Sequence, residues 1–139
     1  MRKKLTAFSI VLAMVFGGYV FFSPAARSGQ QFTAVSAREA VALIQKHTGN
    51  PDFVILDIRT PGEYQAGHIE NAIMVDYYSK SYAHELSRLD KSKTYLVHCR
   101  SGNRSARSMA LFEKLQFQQI YHLYTGINGW KSEGLPLVR

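Results

Sequence analysis

The one cysteine of this 139-residue chain opens the run Cys99-Arg100-Ser101-Gly102-Asn103-Arg104. If the chain curls around the sulfur there, the backbone N–H groups of residues 100–104 point inward as an anion-binding nest. Gly102 permits so tight a path, and Arg100 and Arg104 add positive charge. Together these favour thiolate over thiol, and the thiolate is the nucleophile. A free cysteine is ordinarily a small buried hydrophobe. A core residue, however, has no reason to end a strand-like run with two arginines close behind it. A second group that could do chemistry, Asp57-Ile58-Arg59, closes another apolar run.

Both groups need strands to hold them. Phe53–Leu56 and Thr94–His98 read as strands buried on both faces, with Asp57 and Arg59 at the end of the first and Cys99 directly after the second. Further strands are expected at Phe32–Val35, Ala72–Val75 and Gln119–Leu123. Between them, Ser36 and Glu39 form a capping box that opens a helix with Ala40, Val41, Ile44 and His47 on one face, ended by Gly49-Asn50-Pro51. Thr60-Pro61-Gly62-Glu63 combines an N-cap, a proline at the first helical position and a glutamate at the third, and starts a short helix. Helices are also expected over Tyr78–Leu89, Arg104–Leu115 and Gly126–Glu133. This alternation predicts an α/β layer architecture with a mainly parallel sheet. In such sheets the binding site lies beyond the carboxyl ends of the strands, where both groups stand.

Composition narrows the alternatives. The chain is 46% hydrophobic and 19% charged, which excludes a disordered or collagen-like polymer. A single cysteine excludes an internal disulfide, a C-x-x-C redox pair and a Cys-rich zinc site, and the five histidines show no metal-ligand spacing. The net charge of +7 separates into Arg2, Lys3 and Lys4 and a remainder of 14 basic against 10 acidic residues after Ala26. That remainder is mildly basic and carries no nucleic-acid stripe.

The three N-terminal charges precede an uncharged stretch from Leu5 to Phe22 and then Ser23-Pro24-Ala25-Ala26, the layout of a secretory signal peptide. At 18 residues the stretch also reaches the lower limit of a membrane anchor, although Gly17 and Gly18 shorten its strongly apolar part. Residues 1–26 are therefore expected to be a signal peptide, cleaved after Ala25, or an anchor through residues 5–22, and residues 27–139 the functional domain. Either reading exports that domain, most simply to a bacterial periplasm.

Three separated motifs, in order, resemble the rhodanese family of sulfurtransferases. Cys99 to Arg104 is similar to that family's six-residue active-site loop. Asp57-Ile58-Arg59-Thr60-Pro61-Gly62-Glu63-Tyr64, with Gly67-His68-Ile69 and Asn71-Ala72-Ile73, resembles its upstream signature, although Glu70-Asn71 stands where the family usually has Pro-Gly. Tyr124-Thr125-Gly126-Ile127-Asn128-Gly129-Trp130, followed by Gly134-Leu135-Pro136, resembles its closing helix and tail. Protein phosphatases use a similar cysteine and arginine around a phosphate cradle but place one residue more between them, since a phosphoryl group needs a wider ring. The smaller loop here suits a single sulfur atom.

The resemblance implies a rhodanese-like three-layer fold and a two-step exchange with no cofactor beyond a covalent persulfide. Cys99 takes the outer sulfur of an anionic donor such as thiosulfate and yields it to cyanide or a thiol acceptor. Arg100, Ser101, Gly102, Asn103 and Arg104 would bind the donor and steady the persulfide, with position 104 choosing between donors. Asp57 is expected to fix the loop or pair with an arginine rather than act as acid or base. Arg59 is expected either at the site entrance or in an ion pair with Glu63. Ser101 and Ser105 would hydrogen-bond within the loop or cap the helix, and His68 would be structural. His98 should point away from Cys99 by strand alternation. Tyr77, Tyr78 and Tyr82 could line the mouth, although packing explains them as well, and Trp130 reads as a core anchor. A persulfide carrier for another exported protein, and a non-catalytic binding module, are the competing functions; the intact cysteine loop speaks against the second.

Overall fold

In the computed structural model, residues 29–139 are described, so the signal peptide or anchor expected over residues 1–26 lies outside the described residues. The chain alternates β1 (Gln31–Val35), α1 (Ala37–Lys46), β2 (Phe53–Asp57), α2 (Pro61–Ala66), β3 (Ile73–Met74), α3 (Tyr82–Ser87), β4 (Thr94–His98), α4 (Asn103–Lys114), β5 (Gln119–Leu123) and α5 (Gly126–Ser132). The strands form one sheet in the order β1-β5-β4-β2-β3, and every neighbouring pair is parallel. Because all five run the same way, their carboxyl ends share one edge. β4, which delivers Cys99, lies in the middle of that edge, between β2 and β5.

Strand alternation sends side chains to two cores, one on each face. Leu56, Tyr95, Val97 and Ile120 join Leu86, Phe112 and Phe117 on the side covered by α3 and α4. Ile55, Leu96 and Leu123 join Ala37, Ala40, Ile127 and Trp130 on the side covered by α1 and α5. The result is the expected three-layer α/β fold. The helices after β4 and β5 leave to opposite faces, so a crevice opens between the ends of these adjacent strands, as at a topological switch point.

Local chemistry starts the helices where the sequence places them. Ser36 with Glu39 and Thr60 with Glu63 both form complete capping boxes. Trp130 anchors α5 in the core and donates its indole N–H to the Pro136 carbonyl at 2.8 Å. His68 is structural, stacked on Tyr64 with ring centres 3.7 Å apart. Asn71 takes the left-handed conformation, φ +64°, and closes the turn from Ile69 to Ala72. Asparagine tolerates that region, so the turn survives without the family's usual glycine.

Two expected elements are shorter than predicted. Strand pairing at 72–75 is confined to Ile73–Met74, and the helix expected over Tyr78–Leu89 occupies Tyr82–Ser87. The extended chain runs on past β3, with Val75 N–H donating to the Asp57 carbonyl and Tyr77 N–H to that of Ile58. The Asp76 carboxylate then accepts from Tyr78 N–H, and the Ser79 hydroxyl from Ser81 N–H. Such side-chain-to-backbone bonds compete with a helix and hold the segment in turns.

Candidate active site

Cys99 leaves the central strand and is 1% exposed, at the floor of its loop. The chain does curl around the sulfur. Gly102 N–H donates to Sγ at 3.2 Å, and the Ser105 hydroxyl lies 3.4 Å away. Burial pushes the thiol pKa up, but the Ser105 hydroxyl and the N–H groups of Ser105, Ser101 and Gly102 outweigh it. The net shift is downward, toward thiolate.

The turn between β5 and α5 holds the cradle open. Ile127 N–H donates to the Cys99 carbonyl at 2.9 Å and Asn128 N–H to that of Arg100 at 3.0 Å. These bonds draw loop carbonyls outward, which leaves N–H groups to face the sulfur. Backbone packs directly on backbone here. A Cβ on Gly102 (φ +92°) would stand 1.8 Å from the Tyr124 carbonyl oxygen, and one on Gly126 (φ +60°) would stand 2.5 Å from the Arg100 carbonyl. Glycine is required at both positions for space as well as for torsion.

Asp57 and Arg59 form a buried ion pair under the site, with Nη2 2.7 Å from Oδ2. Arg59 also donates to the Gly67 carbonyl at 2.8 Å, which ties the end of β2 to the chain after α2. Of the roles considered for Asp57, arginine pairing is the one the structure places. The Arg59–Glu63 ion pair is not formed. Residues 57 and 59 lie on the same side of an extended segment, whereas the Glu63 carboxylate is held at the start of α2 by Thr60 and turned toward α4. Arg59 nonetheless lines a small depression with Arg100, Asn128 and Lys131.

Glu63 instead takes Arg104 in a bidentate pair, at 2.8 and 2.7 Å. The Arg104 guanidinium, despite partial burial of the carboxyl, pulls the Glu63 pKa down to about 2. The loop's last arginine thus arrives partly neutralised. Arg100 and Arg107 are exposed and have no ion-pair partner among the described residues. With Glu63, Tyr78, Ser101, Asn103 and Arg104 they line a polar depression of about 380 Å³ beside the loop. Tyr78 is at the mouth, 68% exposed, with the Arg104 guanidinium 5.5 Å from its ring. Tyr82 is buried and bonded to Ser108, and Tyr77 packs against the core.

His98 is turned from the sulfur: its Nε2 lies 3.7 Å from Asp57 and its Nδ1 3.2 Å from the Cys99 carbonyl. The histidine that does approach is His122 of β5, whose Nε2 is 2.8 Å from Ser105 Oγ. Sequence reasoning passed over it. The available signal was register: the parallel pairing of Val97 with His122 puts that side chain beside the start of the cysteine loop. The sequence presents Glu63 as a capping residue and a partner for Arg59, not for Arg104, and Gly126 as a helix start.

The sequence profile of the rhodanese-like domain matches residues 37–133. The chain is 29% identical over 104 residues to a sulfurtransferase of Allochromatium vinosum, an alignment covering 75% of this chain and 95% of that one. It is 26% identical over 118 residues to a probable adenylyltransferase/sulfurtransferase, MoeZ, of Mycobacterium tuberculosis, covering 77% of this chain but only 30% of that longer protein. Among solved structures, a rhodanese-related protein of Thermoplasma volcanium superposes with a TM-score of 0.63 at 27% identity, covering 76% of this chain and 97% of the other. A profile match across most of the described chain, over a parallel sheet that delivers a cysteine into an N–H-lined loop, places this protein in the rhodanese-like family.

Proposed function

We propose that the protein is a sulfurtransferase that moves a sulfane sulfur from thiosulfate, or a similar anionic donor, to cyanide or a thiol. The observation that carries this reading is the sulfur itself, biased toward thiolate at the floor of a six-residue loop that opens beside Arg100 and Arg107, which have no ion-pair partner among the described residues. Family membership and the sulfurtransferase relatives support it.

In the first step the Cys99 thiolate attacks the outer sulfur of thiosulfate. An S–S bond forms to Cys99, the donor's S–S bond breaks, and its electron pair leaves with sulfite. The persulfide anion takes the place of the thiolate charge and draws on the N–H groups of the loop. In the second step cyanide attacks the outer sulfur, thiocyanate departs and the thiolate returns. Neither step moves a proton, so no general base is needed, in keeping with Asp57 being engaged by Arg59. Arg100, exposed at the mouth, attracts the donor; Ser101, Gly102 and Asn103 shape the pocket; Arg104, held by Glu63, sets how much positive charge the donor meets.

Thiocyanate production from thiosulfate and cyanide tests this reading. Parallel double-reciprocal lines are expected, with no turnover by Cys99→Ser. Turnover that survives Cys99→Ser contradicts it. Wild type that accepts sulfur but does not pass it to cyanide points to a persulfide carrier for a protein acceptor instead.

A further inference from the structure

The Ser105 hydroxyl is fully buried and has one proton to give, but three hydrogen-bonding groups surround it. Cys99 Sγ lies at 3.4 Å, the Gly102 carbonyl at 3.1 Å and His122 Nε2 at 2.8 Å. Which one receives the proton depends on the histidine. If Nε2 is bare, it is the shortest contact and takes the hydroxyl proton; the sulfur then faces an oxygen lone pair, which repels a thiolate. If Nε2 carries a hydrogen, it donates to Oγ, and the hydroxyl proton is free to turn toward the sulfur. A full negative charge is the strongest of the remaining acceptors.

We propose that His122 is a positioning residue for the sulfur chemistry: as a neutral imidazole protonated on Nε2, it fixes the Ser105 hydroxyl as a donor to Cys99. The inference rests on Cys99 being the reactive thiolate.

The surroundings agree with that state. His122 lies on β5 between Ala34 of β1 and Val97 of β4, neither of which can hydrogen-bond to its ring through a side chain. Leu123 enters the α1/α5 core, so alternation turns His122 toward the face that carries α4 and Ser105. Half-burial lowers its pKa and keeps the ring neutral near pH 7, against an opposing pull from the Gly102 backbone. The Gly102 carbonyl stands 3.1 Å from the same Ser105 hydroxyl that Nε2 meets at 2.8 Å, so an acceptor lies on the Nε2 side of the ring. The other ionisable groups acting on the sulfur are Tyr82 from α3, held neutral with a pKa of about 12, and Arg104 from α4. Neither titrates with His122.

The test is the pH profile of Cys99 alkylation by iodoacetamide, which needs no sulfur donor and so stands apart from the sulfurtransferase reading. Ser105→Ala removes the donor and is expected to raise the alkylation midpoint by about one pH unit, a tenfold loss of thiolate below both midpoints. His122→Phe removes the ring nitrogen as donor and as acceptor alike and leaves the hydroxyl to choose between the sulfur and the Gly102 carbonyl, so it should raise the midpoint less than Ser105→Ala, and the double variant no further than Ser105→Ala alone. Nitrogen NMR of histidine-labelled wild type reads the tautomer itself, which a mere packing role would not fix: Nε2–H at a pH where Cys99 is thiolate is expected. A wild-type midpoint in Ser105→Ala, additive effects in the double variant, or Nδ1–H in the wild type overturns the proposal.

Discussion

At the scale of single residues, the site balances a buried sulfur against the donors around it and an arginine against a glutamate. Arg104 was visible in the sequence as a cation at the loop's end; its partner was not, because Glu63 lies 41 positions away and already had a capping role to explain it. The pair tempers the charge that an anionic donor meets. Glu63→Gln removes the carboxylate while keeping a side chain that can still bond Thr60. The thiosulfate KM should fall roughly fivefold, as expected for about 1 kcal/mol of charge interaction in a high-dielectric mouth, and its salt dependence should steepen. An unchanged or raised KM would show that the pair positions Arg104 rather than limiting it. The pH sign follows from the depressed Glu63 pKa. Its contribution to stability is present above pH 4.5, the carboxyl's ordinary value, and is lost as pH falls toward about 2.

At the scale of elements, the helices that begin with a side-chain cap were legible, since Ser36-x-x-Glu39 and Thr60-x-x-Glu63 announce their own starts. The buried strands before Asp57 and Cys99 were legible from their apolar runs. The helix after β3 was misjudged in length, because Asp76 and Ser79 bond to local backbone in a way that side-chain periodicity does not record. Least legible was the dependence of the cysteine loop on the β5–α5 turn, a contact of backbone with backbone across more than twenty residues. Gly126→Ala tests that dependence. Its Cβ would meet the Arg100 carbonyl at 2.5 Å in a left-handed conformation. The strain costs about 1–3 kcal/mol of stability and should pull Ile127 N–H from the Cys99 carbonyl. Denaturant unfolding should show the loss, and sulfur transfer should fall further than stability alone explains. Full activity in a stable Gly126→Ala protein would separate the turn from the cradle.

At the scale of the whole molecule, two cores press on a five-stranded sheet whose central strand ends at the reactive sulfur. Phe112 on α4 is fully buried and meets Phe117 edge-on with ring centres 4.9 Å apart. Phe112→Ala should cost about 3–5 kcal/mol in denaturant unfolding, while the folded fraction keeps its reactivity, because Phe112 stands about two turns along α4 from the end of the loop at Arg104. A variant of wild-type stability would mean that this core can collapse around the lost ring. The layer architecture was readable because alternating strands and helices admit few other arrangements, and the cysteine stood at the edge where such sheets act. The central claim concerns that one sulfur, and intact-mass measurement after incubation with thiosulfate and removal of the donor tests it most directly. The account predicts a gain of one sulfur atom on Cys99, lost on adding cyanide; an unchanged mass in the wild type, or the same gain in Cys99→Ser, would contradict it.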